Sequence, residues 1–537
     1  MFKQRMIAAA IAALPAVVCS AGILSDDLTT VPNANPKAVG MNAATVLSPE
    51  LMQVVRAAGA MPVENPTPGV VTHYGYANAD AQHPMMPALG SNVEAQKTEP
   101  DKNTYLVLDD QQGADSAYDY GHHFLYQGHE VGANGAGAIT RINLDADAAH
   151  KVTVLATTEA DGSTALPVID GSTWYPFSDH LLFSQEGNGT SNGGIWQATA
   201  DFPSTVDNLT GIIGRGGYEG IQATLDGTIY IVEDLGGSKV ETNAKVPNSF
   251  IYRFIPYDRH DLLAGGKLQA LQAMSKANPG QPIAFQTTTA LTQDMADLHT
   301  YGNVFDTKWV TVHDTKTDGT TPFNANQLAK NAKATPFKRP ENGQFRPGTL
   351  FREFYFSETG DTDATSAANP GHGGWGAILK LVQASPTAAT GKLTMFYRCD
   401  QAHTGFDNVA FWSANRVVFV EDAGDTLHNQ RNALDSAYMF DVRKDYSNSA
   451  NVPVRIIAQG RDPSATIDSA LSGTGNEGDN EITGIHVSDG DPSAFGLLGA
   501  KLPIPFQFGW RVFYTGQHGE NQTFEVLQNP RTFGNND

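Results

Sequence analysis

The feature of this sequence that most limits its fold is a short pattern that occurs twice, far apart. Residues 228–237 read TIYIVEDLGG, and residues 416–425 read RVVFVEDAGD. In both, an apolar run of β-forming residues ends in Glu-Asp, and a glycine stands two positions further on. Looser copies of the pattern end at Glu186 and Glu358. Repeated strands of this kind predict a fold that is built from equivalent β units.

The spacing of the copies favours a β-propeller over a sandwich. From Glu186 to Glu233 is 47 residues, and from Glu358 to Glu421 is 63. Those lengths fit one four-stranded blade, or one blade with an insertion. Short apolar runs separated by turn signals fill most of the chain after Thr104. We therefore predict an all-β β-propeller of about six blades, with insertions between blades.

Three regions are expected along the chain. Residues 1–21 have the form of a signal peptide: Lys3 and Arg5 precede an apolar run, and small residues follow it. Residues 22–103 are expected to form an irregular, partly helical segment that packs on the propeller. Residues 104–537 are expected to form the propeller itself.

Two stretches of the sequence are predicted to be helical. Pro49–Ala58 is rich in helix-forming residues, and Ser48 stands in the position of an N-cap. Residues 267–274, KLQALQAM, have the same character and are expected to lie outside the blades.

The signal sequence predicts export to the periplasm or the cell exterior. Its apolar run is too short to span a bilayer, and no later run approaches about 20 apolar residues, so no membrane span is expected. A lipoprotein anchored through Cys19 is the alternative, disfavoured because Val18 is bulky. Once the signal is removed, Cys399 is the only cysteine, so no disulfide within the chain is expected.

The charge balance excludes two classes of partner. The formal net charge of −22 argues against nucleic acid and anionic membranes, which bind basic surfaces. If the acidic strand ends of several blades meet at one face, their carboxylates require protons or a cation. Oxygen donors select hard cations such as calcium, magnesium, manganese or ferric iron. The alternative is that each Glu-Asp pair is a solvated turn.

Two weaker signals concern binding residues. His122, His123 and His129 stand close together in GHHFLYQGHE, either as metal ligands or as hydrogen-bonded surface residues. In ATPFKRPENG, Arg339 stands beside Glu341, and arginine is suited to a two-pronged grip on phosphate.

Together these pieces resemble the PhoX-type alkaline phosphatases, a family of secreted, metal-dependent propellers. The resemblance runs from about residue 118 to 530 as short motifs in the family's order. The motifs are TWYPFSDHLLFSQEGN, YEGIQATLDGTIYIVED, ATPFKRPENG, FDNVAFWSANRVVFVEDAGD, NEITGIHVSDG and VFYTGQH. The resemblance implies a hydrolase of phosphate monoesters with an iron and calcium cluster at one end of the propeller.

The resemblance also implies roles for individual residues. Arg339 is expected to hold the phosphate, and Glu341 and Glu219 to complete the catalytic set. The metal ligands that it implies are Glu186, Glu219, Glu341, Asp407, Asn408 and Glu421.

The sequence departs from the family pattern at the position of the thiolate that bridges two irons. Gln185 stands there, Gly187 replaces the second Glu of the same motif, and Tyr218 replaces a histidine. Glutamine is a poor iron ligand, so calcium is the expected cofactor and iron the less favoured one.

The expected function is a secreted, monomeric phosphatase that acts on small phosphorylated substrates. Two alternatives stay open from the residues: another propeller hydrolase, such as a lactonase or a phytase-like enzyme, or a non-catalytic propeller stapled by metal.

Overall fold

The computed structural model describes residues 28–31, 45–85, 95–132, 135–460, 481–517 and 521–532. The signal peptide predicted over 1–21 lies outside these residues. No helix within the described ranges is long and apolar enough to cross a membrane.

Four short strands open the described chain: β1 (Val46–Leu47), β2 (Leu51–Ala57), β3 (Pro62–Thr67) and β4 (Val71–His73). The helix predicted over Pro49–Ala58 is wrong, because those residues form β2. The Ser48 hydroxyl does not cap a helix but donates to the carbonyl of Thr29. Leu, Met, Gln and Arg favour a helix locally, but pairing with the last strand of the chain supplies a full backbone ladder and decides the outcome.

Two four-stranded antiparallel sheets follow. The first contains β5 (Thr104–Val107), β6 (His123–Gly128), β7 (Ile139–Asn143) and β8 (Val152–Ala156). The second contains β9 (Ser172–Tyr175), β10 (His180–Gln185), β11 (Gly194–Thr199) and β12 (Val206–Asn208). In each sheet the strands pair in chain order, as the blades of a propeller do.

The middle of the chain forms two further meanders, which β19 joins into one nine-stranded sheet. The strands of the first meander and its side hairpin are β13 (Tyr218–Ala223), β14 (Ile229–Glu233), β15 (Lys239–Glu241), β16 (Ala244–Lys245), β17 (Ile251–Pro256) and β18 (Gly266–Ala273). Then come α1 (Gln293–Leu298), β19 (Val304–Asp314), α2 (Thr315–Asp318) and α3 (Ala325–Asn331). The second meander contains β20 (Gly343–Phe345), β21 (Glu353–Glu358), β22 (Ala377–Gln383) and β23 (Thr390–Arg398).

The second predicted helix, over 267–274, is wrong as well, because it coincides with β18. Leu268, Ala270 and Leu271 are buried between the neighbouring strands β17 and β19, and this burial outweighs helix propensity. The helices of the insertion lie further along the chain.

The last two sheets draw on both ends of the described chain. Their strands and helix are β24 (Phe406–Phe411), β25 (Arg416–Glu421), α4 (Gly424–Arg431), β26 (Ser436–Asp441), β27 (Val454–Ala458), β28 (Ile482–Ser488), β29 (Arg511–Gly516) and β30 (Gln522–Gln528). β1 pairs with β27, and β2 pairs with β30. The N-terminal strands therefore complete sheets made otherwise from the C-terminal third.

The first strands of the meanders form a closed ring. β5 contacts β9, and the contacts continue through β13, β20, β24 and β28 back to β5. This propeller-like arrangement confirms the predicted all-β propeller class. The blade count of about six stays a prediction, which the ring of six inner strands supports. Apolar side chains of neighbouring sheets form the core between them, so each blade packs on the next.

Candidate metal centre

One end of the ring collects acidic side chains. In an antiparallel meander, the first strand begins at the end of the sheet where the second strand finishes. Carboxylates stand at or just before the start of each first strand, and again just after four of the second strands. They are Asp101, Asp170, Glu219, Glu341, Asp407 and Glu481 at the starts, and Glu130, Glu186, Asp234 and Asp422 at the ends. We call these ten residues the hub.

Four hub residues form a tight group, which we call the central group: Glu186, Glu219, Asp234 and Glu341. One carboxylate oxygen of each lies within 4.8 Å of those of the other three. Glu186 is exposed, and the others are buried. Oε2 of Glu219 is buried and receives no hydrogen bond from any residue that the structure describes. Four converging carboxylates with an unsatisfied buried oxygen fit a hard cation bound by oxygen.

Burial and the charges of neighbouring carboxylates raise pKa values in this group. Burial and then the charge of Asp234 raise the pKa of Glu341 to about 8. Burial, followed by the charge of Glu341, raises the pKa of Glu219. Without a cation, these carboxylates therefore hold protons at pH values where exposed ones do not.

Arg339 lies against the central group. Its Nε and Nη2 donate to Asp234 Oδ2 at 2.9 and 2.7 Å, and Nη2 lies 3.3 Å from Glu341 Oε1. Its side chain is 21% exposed. The backbone of Arg339 has a φ of 53°, a left-handed conformation that costs free energy in a non-glycine residue. The chain is thus held in a strained turn that aims a guanidinium at the carboxylates.

A second acidic group lies in the same hub and was missed by the sequence reasoning. Single oxygens of Asp101, Glu130 and Asp170 lie within 4.8 Å of one another. Oδ1 of Asp170 is buried and has no hydrogen-bond partner among the described residues. Gln517 donates to Glu130 Oε1 at 3.2 Å. The sequence signal that could have revealed this group is the position of its members: Asp101 and Asp170 stand just before the first strands β5 and β9, and Glu130 stands just after the second strand β6.

Asp407 and Asn408 lie beside the central group. Asp407 Oδ1 accepts hydrogen bonds from the side-chain amides of Asn342 and Asn408, at 3.3 and 2.7 Å. Burial, followed by the charge of Asp101, raises the pKa of Asp407 to about 7. The Asn408 amide also donates to Thr483. Asp407 is thus close to the proposed ligands, and Asn408 holds it in place.

Glu421 lies apart from the central group. Arg431 contacts both of its oxygens, at 3.0 and 3.1 Å, and the backbone amides of Thr404 and Ser436 donate to them. The structure therefore gives Glu421 an internal ion pair in place of the metal contact that we expected. The reason is its position inside β25, where its side chain faces its own blade.

The Glu-Asp repeat is explained by this alternation. Glu233, inside β14, accepts hydrogen bonds from the Phe250 amide and the Tyr252 hydroxyl within its blade. Asp234, the next residue, reaches the central group. Acidic strand ends thus do meet at one face, but Asp234 does so in this pair while Glu233 and Glu421 bond within their own blades, because neighbouring residues of a strand face opposite sides.

Gln185 occupies the position that Glu233 has in its own blade. Its Oε1 accepts a hydrogen bond from the Gly193 amide at 3.0 Å, so this side chain ties a turn. Cys399 is buried in a separate aromatic core with Tyr397 and Phe406, and burial raises the pKa of its thiol. The described residues therefore do not fit an iron pair bridged by a thiolate, whereas they fit hard cations bound by oxygen.

The histidines of GHHFLYQGHE lie outside the hub groups. His122 and His123 are partly exposed and pair with Asp109 and Asp145. The two ring nitrogens of buried His129 contact the hydroxyls of Thr98 and Thr140. His122 and His123 thus have the contacts of hydrogen-bonded surface residues, whereas His129 is hydrogen-bonded in the interior.

Comparison with known proteins supports one family. The family model described as alkaline phosphatase PhoX matches residues 213–493. The solved structure of Pseudomonas fluorescens PhoX in complex with vanadate, a transition state analogue, has 12% sequence identity and a TM-score of 0.55. That match covers 93% of this chain and 98% of the other.

Two other comparisons add nothing to this result. The catalytic domain of the Coprinopsis cinerea GH62 alpha-L-arabinofuranosidase has 9% identity over 67% of this chain and 90% of that one, with a TM-score of only 0.30. No curated protein matches. The PhoX match spans more than half of the 537 residues, and the chain therefore belongs to the PhoX alkaline phosphatase family, whose members hydrolyse phosphoric esters.

Proposed function

We propose that this protein hydrolyses phosphate monoesters at a calcium-dependent centre in the hub. The observation that carries the proposal is the partly exposed side chain of Arg339, whose guanidinium contacts Asp234 and Glu341 in a group of four converging carboxylates. Carboxylates hold a hard cation, and arginine grips phosphate. The proposal includes export under the signal sequence of residues 1–21 and action as a monomer.

The central group would hold the first cation. Glu219 would contribute Oε2, which has no hydrogen-bond partner among the residues that the structure describes, and Asp234, Glu341 and Glu186 would each contribute a neighbouring oxygen. Bound calcium would neutralise phosphoryl charge and lower the pKa of a bound water. The group of Asp101, Glu130 and Asp170 would hold a further cation, because its buried Asp170 Oδ1 also lacks a partner among the described residues.

Arg339 would bind the phosphoryl oxygens. In this structure the guanidinium of Arg339 donates two hydrogen bonds to the Asp234 carboxylate. Two phosphoryl oxygens could accept the same pair of hydrogen bonds. A cation on Asp234 weakens its hold on the guanidinium, because both compete for the same oxygens. Arg339 would then stabilise the charge that develops on the phosphoryl group.

The proposal favours calcium over iron. The hub donors described above are oxygens, and Gln185 replaces the bridging sulfur of the family pattern. Asp407 stays in the proposed ligand set because it contacts the amide that also holds Glu219. Asn408 supports Asp407, and Glu421 is assigned to its ion pair with Arg431.

The test compares two arginines in matched surroundings. Arg339 is 21% exposed and pairs with Asp234; Arg346 is 23% exposed and pairs with Glu353 at 3.0 Å, outside the hub. Arg339→Lys should lower kcat/KM for p-nitrophenyl phosphate by roughly 100-fold, because lysine cannot make the two-pronged contact. Arg346→Lys should stay within about twofold of the wild type.

Two results would overturn this assignment. Equal loss in both variants would assign the effect to folding, and no loss in either would remove Arg339 from the site. Parallel assays with a lactone and with inositol hexakisphosphate test the other propeller hydrolase activities.

A further inference from the structure

The turn that carries Arg339 has a backbone conformation that needs support from its surroundings. Arg339 has a φ of 53°, and Pro340 follows it and restricts the backbone of the residue before it. Strained backbone of this kind persists only where the neighbouring structure fixes it. The groups that fix this turn therefore decide where the guanidinium lies.

The end of β21 lies against the turn and holds it through three hydrogen bonds. The amide of Thr359 donates to the carbonyl of Arg339 at 2.8 Å, and the amide of Gly360 donates to the carbonyl of Lys338 at 3.1 Å. The third bond is not backbone to backbone, because the amide of Lys338 donates to Oε1 of Glu358 at 2.8 Å. The side chain of Glu358 thus completes the contact between β21 and the turn.

Glu358 has one further partner, His299, and both side chains are fully buried. Nε2 of His299 lies 2.8 Å from Glu358 Oε2, and Nδ1 lies 2.7 Å from the carbonyl oxygen of Met295. Both ring nitrogens face oxygen atoms, so Nε2 and Oε2 share a hydrogen bond whichever of them carries the proton. His299 therefore holds Oε2 of Glu358 and leaves Oε1 for the amide of Lys338.

His299 brings a segment outside the blades to this turn. It is the C-cap residue of α1, a helix of the insertion that precedes β19. Neither His299 nor Glu358 belongs to the hub, and the proposed reaction uses neither of them. The insertion thus reaches the turn of Arg339 through a buried pair that has no other part in the proposed chemistry.

We propose that Glu358 and His299 are positioning residues for Arg339, which hold the amide of Lys338 and with it the turn that carries the guanidinium. The inference rests on the proposed function, in which Arg339 binds the phosphoryl group. It requires a hydrogen-bond acceptor at position 358, whatever the charge of the pair. Loss of this acceptor leaves the amide of buried Lys338 without a partner, and the turn relaxes away from the geometry that phosphate binding needs.

The first experiment is a double-mutant cycle on phosphatase kinetics. Glu358→Ala removes the acceptor and should lower kcat/KM for p-nitrophenyl phosphate by about 10–100-fold, because a binding group that is slightly displaced loses much of its effect. Arg339→Lys combined with Glu358→Ala should be no slower than Arg339→Lys alone, because the pair then has no guanidinium to position. Losses that multiply in the double variant would overturn the inference.

Two further variants separate positioning from a general loss of stability. In Glu358→Gln the side-chain oxygen still accepts from the amide of Lys338, and the side-chain nitrogen donates to Nε2 of a neutral His299, so kcat/KM should stay within about threefold of the wild type. Glu525→Ala removes another buried acid, which pairs with Arg511 at 2.7 Å outside the hub. It should lower the Tm and leave kcat/KM within about twofold. A Glu358→Gln variant as slow as Glu358→Ala would overturn the inference.

Hydrogen exchange provides a measurement that needs no activity. A peptide over residues 335–342 contains the amide of Lys338, and its exchange should become about tenfold faster in Glu358→Ala and in His299→Leu. Glu358→Gln and Glu525→Ala should exchange in this peptide as the wild type does. Unchanged exchange in folded Glu358→Ala and His299→Leu would overturn the inference.

The outcomes separate this inference from the proposed function. A folded, calcium-loaded wild type without phosphatase activity overturns the proposed function, while the exchange measurement still decides whether Glu358 holds the turn. An active wild type whose Glu358→Ala variant keeps its kcat/KM overturns the inference alone. Failure of both Glu358→Ala and His299→Leu to fold would assign the pair to folding and would also overturn it.

Discussion

Glu233 and Asp234 are neighbours in sequence, yet their carboxylates serve different parts of the molecule. Glu233 is fully buried and ties its own blade through the Phe250 amide, the Tyr252 hydroxyl and the Asn326 amide. Asp234 reaches the central group and holds Arg339. Two consecutive residues thus face different surroundings: Glu233 bonds within the protein interior, and Asp234 faces the proposed metal centre.

This pair predicts opposite effects of two isosteric substitutions. Asp234→Asn should lower kcat/KM and calcium affinity by roughly 100-fold with little change in folding, because it removes a ligand charge. Glu233→Gln should lower the free energy of unfolding by about 1–3 kcal/mol, because Oε2 accepts three hydrogen bonds that an amide cannot all replace. Phosphatase kinetics and chemical denaturation of both variants check this. The assignment is wrong if the two substitutions exchange effects.

The stability of the metal-free protein should fall as the pH rises. Burial and neighbouring charges raise the pKa of Glu341 to about 8 and that of Asp407 to about 7, above the unfolded values near 4.5 and 3.8. Between the unfolded and the folded pKa values, the native state binds more protons than the unfolded state. The contribution of these two groups to the free energy of unfolding is therefore complete below the unfolded pKa values, and it is lost as the pH rises through the folded ones.

Calcium should weaken the dependence of stability on pH, because the bound cation compensates the carboxylates that would otherwise take up protons. The Tm in chelator should drop by roughly 2–4 °C from pH 6 to pH 9, and the slope should shrink in saturating calcium or in Glu341→Gln. Differential scanning calorimetry across the pH series measures it. Parallel slopes with and without calcium would refute the role of these carboxylates in binding it.

The purified protein should be colourless and should hold calcium rather than a thiolate-bridged iron pair. Gln185 is engaged with the Gly193 amide, and the thiol of Cys399 is buried in another core. Elemental analysis and the visible absorption spectrum decide this prediction. Stoichiometric iron with a sulfur-to-iron absorption band would show that a thiolate reaches the hub after all.

Strand β2 should be necessary for the stability of the last sheet. Adjacent residues of a strand alternate their N–H directions, so either Gln53→Pro or Val54→Pro removes an amide that bonds to β30. That substitution should cost about 3 kcal/mol of unfolding free energy. Gln53→Thr and Val54→Thr keep the ladder and serve as controls. Equal, small losses in all four variants would mean that β2 does not close the sheet.

The sequence contained enough to predict the fold class and part of the site. The repeated strand and its spacing reflect equivalent blades, and Glu186, Glu219 and Glu341 do converge. Arg339 beside Glu341 was visible because both stand in one short motif. Both features can be recognised in one sequence, because they depend on short motifs and on the spacing between repeats.

The remaining features depend on contacts between distant residues. Residues 51–57 have helix-forming composition, and only β30, more than 460 residues later, makes them a strand. The roles of Glu233 and Asp234 depend on which face of β14 each side chain takes. The group of Asp101, Glu130 and Asp170 joins three segments that share no motif. Pairing and packing decide such cases, and local pattern does not.

The most direct test of the central claim follows phosphate release from p-nitrophenyl phosphate at alkaline pH as free calcium is varied. Glu219→Gln, which removes the negative charge of a central-group carboxylate, is measured in parallel. The account predicts turnover that rises with calcium occupancy, stops in chelator, returns on adding calcium, and is lost in Glu219→Gln. Chelator-insensitive turnover, or none in folded, calcium-loaded wild type, would contradict it.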